Sequence, residues 1–467
     1  MLVMKFGGTS VGTAARISEV AALVQAAQAQ EPVLVVVSAV SGVTDSLLAA
    51  AHDAAARRRL PALQRVIALQ EQHSALIADL QLSADLDHEL AAELHPLWVE
   101  LEGFIQSVGI LGEATRRTLD YISSLGERIS CRIVAATLRA RECPATAVDA
   151  GRVVVTDSTF GNAYPLMAAT RGQAAAVLGP LLAAGRVPVV TGFIGANRDG
   201  IVTTLGRGGS DYSASILGSA LDAREVVIWT DVDGVMTADP RVVADARTLP
   251  RLSYEEAAEM SYFGAKVLHP KTIAPAVERG IPVRIKNTFA PAAPGTLITA
   301  DPAPAGDSIH AITAISHLAL LTLQGKGMVG LPGVAARLFS TIARAEINVL
   351  MISQSSSEYN ICVLIEEAHA AQAQAGIGRE FAAEQEQGLI EGQTVQTGVA
   401  IIAVIGAGMR GKPAVTGQVF MALGAAGIEV LAIAQGSSEL NLSFVLAGSQ
   451  RDAAVRAIHA HFGLGRA

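Results

Sequence analysis

The chain has 467 residues, 51% of them apolar and only 4% aromatic, which is enough for two or three tightly packed α/β domains. Its 35 basic and 43 acidic residues give a net charge of −8 with no basic block, which argues against nucleic acid as a partner, and no apolar run approaches membrane-spanning length. Three scattered cysteines (Cys131, Cys143 and Cys362) fit neither a disulfide framework nor a zinc site and read as reduced core residues of a cytoplasmic protein.

The N-terminus, MLVMKFGG, has no signal-peptide layout and reads as a first strand. It runs into KFGGTS, where a lysine ends the strand and two glycines and two hydroxyl residues open a helix, Ala14 to Gln30. Bare amides at such a turn attract phosphate, and Lys5 is placed to offset phosphoryl charge; a plain tight turn with a surface lysine fits equally well. VLVVVSAV is a second strand, and SAVSGVTD after it carries Ser38, Ser41 and Thr44 at a strand end, where open α/β sheets hold ligands and where hydroxyls also simply cap loops. From about Leu47 to Leu125 the pattern is helical, an insertion or lid beside the sheet. LGERIS offers Glu127, read in isolation as a surface charge at a helix start.

RVPVVTGF is a further strand, and FIGANRDGIVTTL a hairpin turning at NRDG. TLGRGGSDYSAS is a second glycine turn, with Arg207 suited to a carboxylate or phosphate and Ser210 or Asp211 as the cap of the next helix. EVVIWTDV ends in an acidic loop, WTDVDGVMTADPR, fit for a sugar, a base or a metal but lacking the full calcium-loop spacing. FGAKVLHP places Lys266 and His269 on a short helix, and IPVRIKN is another strand. β-branched strands alternating with helices predict a mostly parallel sheet covered on both faces. Ala290 to Gly306, with four prolines and little charge, reads as a domain boundary that still contains a possible strand, GTLI.

Beyond that boundary the chain repeats itself. LTLQGKGMVG matches IAVIGAGMRG, and ISQSSSEYNICVLI matches IAQGSSELNLSFVL, both at an offset of 81 residues. Each copy reads β-α-β-β-α and carries G-x-G-x-x-G, as Gly325, Gly327 and Gly330 and as Gly406, Gly408 and Gly411. A dinucleotide site needs an acid at the end of its second strand, whereas these strands end in Gln354 and Gln435, and Glu346 and Glu429 stand at the wrong end. The glycines are better read as allowing a small ligand close to the backbone, or a tight turn. The second copy lacks a closing strand, and HAITAIS (His310 to Ser316), ahead of the first copy, is expected to supply it, so that one repeat is inserted within the other.

KFGGTSV, TTLGRGGSDYSA, WTDVDGV-x-T-x-DPR and FGAKVLHP, in this order, closely resemble aspartate kinase of the amino-acid kinase family. The regulatory half, through ISQSSSEY and AIAQGSSE, is similar to the kinase portion of bifunctional aspartate kinase–homoserine dehydrogenase. The resemblance implies an α/β/α sandwich of the carbamate-kinase type over residues 1–296 and two ferredoxin-like ACT domains, at 317–397 and at 309–316 plus 398–465. It implies phosphorylation of L-aspartate by MgATP to give 4-phospho-L-aspartate. Lys5, Arg207 and Asp211 would be catalytic, and Ser38, Thr44, Glu127, Phe193, Arg207 and Ser210 would line the aspartate site. Lys5, Gly7, Gly8, Gly208, Gly209, Thr230, Asp231, Asp239, Arg241 and Lys266 would surround ATP, with the Mg²⁺ ligands unassigned. Met236 stands where many members of the family have Tyr, which removes a stacking or hydrogen-bonding group there. Ile352, Gln354, Ile433 and Gln435 would contact an inhibitory amino acid, threonine or else lysine, and the ACT domains would join a homodimer or a dimer of dimers. An inactive amino-acid sensor, another amino-acid kinase and a nicotinamide-dependent protein are the competing readings.

Overall fold

The computed structural model describes residues 1–263, 270–301, 309–328, 332–355, 359–409, 412–436 and 440–465. The chain packs as two compact units. Met1–Val235, Pro250–Tyr254 and Val267–Asp301 form the first; Met236–Leu249, Glu255–Lys266 and Pro302–Ala467 form the second.

The first unit opens with β1 (Leu2–Phe6), α1 (Ala14–Gln28) and β2 (Val33–Val37). All five residues of β2 are buried, as expected of a central strand covered on both faces. The stretch read as helical from about Leu47 to Leu125 is filled by four helices: α2 (Val43–Ala55), α3 (Arg59–Asp79), α4 (Ala84–Leu111) and α5 (Arg116–Ala140). Ser83 and Thr115 cap α4 and α5 through their hydroxyls, and Gly112, with φ of 74°, ends α4 in the left-handed conformation that glycine adopts without strain. Leu47, Leu90, Leu101 and Leu125 join these helices to the core beneath the sheet. The chain continues through β3 (Ala145–Val148), β4 (Val155–Thr156), α6 (Met167–Ala183), β5 (Val187–Thr191), and the hairpin of β6 (Ile194–Asn197) and β7 (Val202–Thr204). Next come α7 (Gly209–Ala220), β8 (Glu225–Thr230) and β9 (Arg251–Ser253). The helix α8 (Tyr254–Tyr262) falls almost wholly in the second unit; α9 (Pro270–Glu278), β10 (Val283–Asn287) and β11 (Thr296–Thr299) complete the first.

Its main sheet has the order β3-β5-β2-β1-β8-β10-β11-β9, with every pairing parallel except β10 with β11. β1 leads to β2 on one side while β8 lies on the other, so the order reverses beside β1. In open α/β sheets the ligand crevice lies at such a reversal.

The second unit is built on a six-stranded antiparallel sheet. Its elements are β12 (Ala311–Gln324), α10 (Val334–Arg344), β13 (Met351–Gln354), β14 (Asn360–Glu366), α11 (Ala370–Glu380), α12 (Ala382–Glu386), β15 (Gly392–Ile405), α13 (Pro413–Ala425), β16 (Ala432–Gln435), β17 (Asn441–Ala447) and α14 (Arg451–His461). The order is β13-β14-β12-β15-β17-β16. β12 and β15 each run through 14 residues and pair from Ala311↔Ile405 to Gln324↔Gly392, with register shifts near Leu318. β14 pairs with the second half of β12, and β17 with the second half of β15. The Ala311–Ile315 stretch ahead of the first copy therefore lies against the strand that opens the second.

Two cores sit on this sheet, one around Leu321, Leu338, Val363 and Phe381, the other around Ile402, Val419, Phe444 and Ile458. Cys131 and Cys143 are buried as expected, but Cys362 is only partly buried. Among the described residues no helix is long and apolar enough to cross a membrane. Phe444 is fully buried, so Phe444→Ala is expected to lower stability by about 3–5 kcal/mol. Urea unfolding followed by circular dichroism measures this, and an unchanged midpoint would refute the packing described.

Candidate active site

The parallel strands of the first unit end at one edge of the sheet. Phe6 is level with Val37 and Trp229, and Val37 with Thr191. The loops that follow these residues converge there. A Cβ on Gly8 would lie 2.8 Å from the Ala39 carbonyl oxygen, so the loops after β1 and β2 touch through their backbones. A Cβ on Gly126 would lie 2.9 Å from that of Ala39, which brings α5 down onto the same loop.

This convergence forms an open cavity of about 440 Å³. Lys5, Ser38, Thr44, Glu127 and Phe193 line it, and so do Arg207, Gly208, Gly209, Ser210 and Asp211 from the second glycine turn. Lys5 is buried, with its Nζ 2.6 Å from Asp211 Oδ1. Arg207 is exposed at the mouth. Gly208, with φ of 70°, occupies the N-cap position of α7, so Ser210 and Asp211 fall in the first turn and are not its cap. Phe193 has φ of 68°, a conformation that costs a non-glycine residue about 1–2 kcal/mol. Its amide donates to Ser213 Oγ at 2.9 Å, and a Cβ on Gly209 would come within 2.6 Å of its ring. The Phe193 turn and the start of α7 therefore hold each other in place.

Glu127 differs most from its sequence reading. It sits in the middle of α5 and is buried, where isolated reading made it a surface charge at a helix start. Burial raises its carboxyl to about pKa 8, against a lowering by the Ala39 backbone amide, and Oε2 has no hydrogen-bond partner. A cation entering the cavity beside it would return it to the charged form.

Asp120, two turns before Glu127 on α5, was not singled out from the sequence. It is buried and accepts hydrogen bonds from the Gly161 amide (2.9 Å), the Thr204 amide (2.9 Å) and the Thr204 hydroxyl (2.7 Å). Desolvation raises its pKa, and these donors oppose the rise. It anchors the strand end that leads into Gly206 and Arg207. Asn162 supports the same turn: a Cβ on Gly206 would come within 2.7 Å of Asn162 Oδ1, which accepts from Lys271 Nζ at 2.7 Å. The only sequence signal for Asp120 is a charge on the apolar face of a long helix.

Among the described residues, the other expected site residues do not line this cavity. Gly7 lies close, with a Cβ there 3.5 Å from Lys5 Nζ. Thr230 ends β8 and Asp231 follows it, with the Thr230 hydroxyl 3.2 Å from Asp231 Oδ1. Asp239 and Arg241 belong to the second unit and form an ion pair at 2.6 Å, which holds the Asp239 carboxyl below its usual range. Met236 makes an isolated bridge with Thr248. Lys266 and His269 lie outside the described residues, as do Gly330 and Gly411.

Ile352 and Gln354 on β13, and Ile433 and Gln435 on β16, are all exposed. The Ser353 hydroxyl donates to the Ile433 carbonyl at 3.0 Å, so the two edge strands of the sheet meet. The first glycine turn makes room for protein: Cβ atoms on Gly325 and Gly327 would come within 2.5 and 2.6 Å of the backbone at Leu389. Both turns belong to an antiparallel sheet, whereas dinucleotide folds are parallel.

Glu127 yields a pH prediction. Its folded pKa lies above the ordinary 4.5, so between 4.5 and about 8 the folded chain keeps a proton that the unfolded chain has lost. Stability therefore falls as pH rises through that window, by on the order of 4–5 kcal/mol in total. Glu127→Gln is expected to match the wild type near pH 4.5 and to exceed it at pH 8 in urea unfolding; parallel pH profiles would refute the burial assignment.

The chain matches known proteins over nearly its whole length. The model of the amino acid kinase family matches residues 1–287, and that of the ACT domain matches residues 321–381 and 402–462. Bifunctional aspartokinase/homoserine dehydrogenase 2, chloroplastic, of Zea mays is 38% identical over 471 residues, covering 99% of this chain and 51% of that one. The chain thus spans about half the length of the first curated relatives it matches. Aspartokinase 1, chloroplastic, of Arabidopsis thaliana is 33% identical over 98% of this chain and 80% of its own. The crystal structure of E. coli aspartokinase III with aspartate and ADP (R-state) superposes with a TM-score of 0.83 at 31% identity, covering 99% of this chain and 100% of that one. The same enzyme with lysine and aspartate (T-state) gives 0.81 at 32% identity, covering 99% of each chain. From the extent of the kinase-family match and the identity to aspartokinases along almost every residue, the chain belongs to the amino acid kinase family, among the aspartokinases.

Proposed function

We propose that this chain transfers the γ-phosphoryl group of ATP to the β-carboxylate of L-aspartate, giving ADP and 4-phospho-L-aspartate. The observation that carries the reading is one cavity holding Lys5, Arg207, Glu127 and Asp211 at the strand-order reversal. An aspartate side chain is already ionised at neutral pH, so it needs no general base. The obstacle is bringing one anion to another, which calls for positioning and positive charge. Arg207 holds the substrate α-carboxylate through its fork of donors. Glu127 receives the α-ammonium and is ionised by it. Ser38, Thr44 and Ser210 offer hydroxyls, and Phe193 forms an apolar wall. Lys5, steadied by Asp211, faces the phosphoryl group and offsets its charge. Gly7, Gly8, Gly208 and Gly209 carry no side chain to keep phosphate from the backbone, and Thr230, Asp231, Asp239, Arg241 and Lys266 are assigned to the nucleotide. Mg²⁺ would enter with ATP and would supply positive charge to its phosphate oxygens, with no residue of this chain assigned as its ligand.

The same reading sets the kinase domain at residues 1–296, with ACT domains at 317–397 and at 309–316 plus 398–465. The matches to residues 1–287, 321–381 and 402–462 support these limits. Ile352, Gln354, Ile433 and Gln435 take up an inhibitory amino acid, threonine in the first place. The lysine complex of the E. coli enzyme keeps lysine as the second candidate. Exposed Ile352 and Ile433 support a homodimer or dimer of dimers joined through this sheet. Three free cysteines suit a cytoplasmic setting.

The deciding measurement is aspartate-dependent ADP release, with hydroxylamine trapping of the acyl phosphate, compared across candidate amino-acid acceptors. Absence of trapped hydroxamate would make the chain an effector-binding protein and not a kinase. Lys5→Ala is expected to lower turnover by about 10²–10³-fold while sparing aspartate binding. Arg207→Ala is expected to raise the aspartate KM by about 10–100-fold. A Lys5 variant with normal turnover, or an Arg207 variant with normal KM, would remove that residue from its role. Gln354→Ala and Gln435→Ala are expected to relieve inhibition by threonine; unchanged sensitivity in both would move the effector site elsewhere.

A further inference from the structure

The helices inserted after β2 enclose a second cavity, of about 470 Å³, where the end of α2, the first turns of α3 and the last turns of α4 come together. Ala54, Ala62 and Ile105 form the buried apolar part of its wall, Gly109 adds no side chain, and Leu63, Gln106 and Ile110 complete the lining between the helices. Arg57 and Arg59 also line it, and both are exposed. Around them the charge is unbalanced. Asp53 takes Arg58 through Oδ1 at 2.6 Å and Arg65 through Oδ2 at 2.8 Å. Arg57 and Arg59 make no ion pair among the described residues, in a chain whose net charge is −8.

The same place gathers exposed apolar side chains. Ile110 is 82% exposed, Leu111 69% and Leu60 67%. Exposed aliphatic residues next to unpaired guanidinium groups and an apolar recess match a ligand with an anionic head and an apolar tail. The volume lies within the roughly 300–1,000 Å³ of small-molecule sites.

We propose that this cavity binds a small anionic amphiphile, a carboxylate or phosphate monoester with a short apolar chain. The head lies at Arg57 and Arg59, and the chain lies against Ala54, Ala62 and Ile105. The proposal stands apart from the kinase reading, since none of these residues belongs to the aspartate or nucleotide assignments.

Isothermal titration of the full chain with octanoate tests it. One saturable site is expected, and affinity should fall as the chain is shortened to hexanoate and butanoate, by up to about fourfold per methylene lost. Octylamine, with a cationic head, should bind at least tenfold more weakly than octanoate. Arg57→Glu/Arg59→Glu should lose at least tenfold in octanoate affinity. Gly109→Leu should do the same by filling the recess, and it has room to fold because the nearest atom to its new Cβ is the Ala54 carbonyl oxygen at 3.9 Å. Unchanged thermal midpoints would show that both variants are folded. The proposal is overturned by absence of saturable octanoate binding, by equal binding of octylamine, by unchanged affinity in both variants, or by association only with phosphatidylglycerol vesicles, which would make this face a membrane-lipid surface.

Discussion

The ion pair between Lys5 and Asp211, at 2.6 Å, ties the end of the first strand to the first turn of α7. Both partners are largely withdrawn from water, so each would be costly alone. Breaking such a pair from one side typically costs 3–5 kcal/mol, because a charge is left unmatched in a poorly polarisable place. The pair also fixes a lysine amine beside Gly7, where a Cβ would lie 3.5 Å from its Nζ. A flexible surface lysine would have to be ordered each time phosphate arrived; here that ordering is built in during folding.

A second constraint comes from α5. Asp120 and Glu127 face inward from one side of that helix, two turns apart, and their situations differ. Asp120 finds three donors within the protein and acts as an anchor for the strand before Arg207. Glu127 has one oxygen without a partner and is held back from ionising by burial. One helix thus supplies both the support of the site and its unsatisfied group, and the bare Cα of Gly126 lets it approach closely enough to do so.

Much of this was legible in the residues because the signals are contiguous. LVMKF, VLVVV and EVVIW announce buried parallel strands through β-branched runs, and KFGG and GRGG announce turns open to an anion. The 81-residue repeat announced the doubled module, whose strands run as the motif order implied. What escaped depends on distance in sequence. Asp120 and Thr204 are 84 residues apart, and nothing local marks them as partners. The depth of Glu127 is set by packing of α5 on the loop after β2, which helical periodicity alone does not reveal. The helix start at Gly208 was missed because Ser and Asp are stronger cap signals than a glycine in left-handed conformation.

The long strands β12 and β15 carry a consequence for synthesis of the chain. The segment Ala311–Ile315 leaves the ribosome well before the stretch up to Ile405 that it pairs with. At about 5–20 residues per second, the roughly 90 intervening residues take about 5–20 s to appear. Through that interval an apolar ribbon with open amides and carbonyls is available to any other strand, including one on a neighbouring nascent chain. Slow decoding before residue 399 would lengthen that exposure, and helper proteins that shield unpaired edges have their clearest opportunity on this polypeptide then.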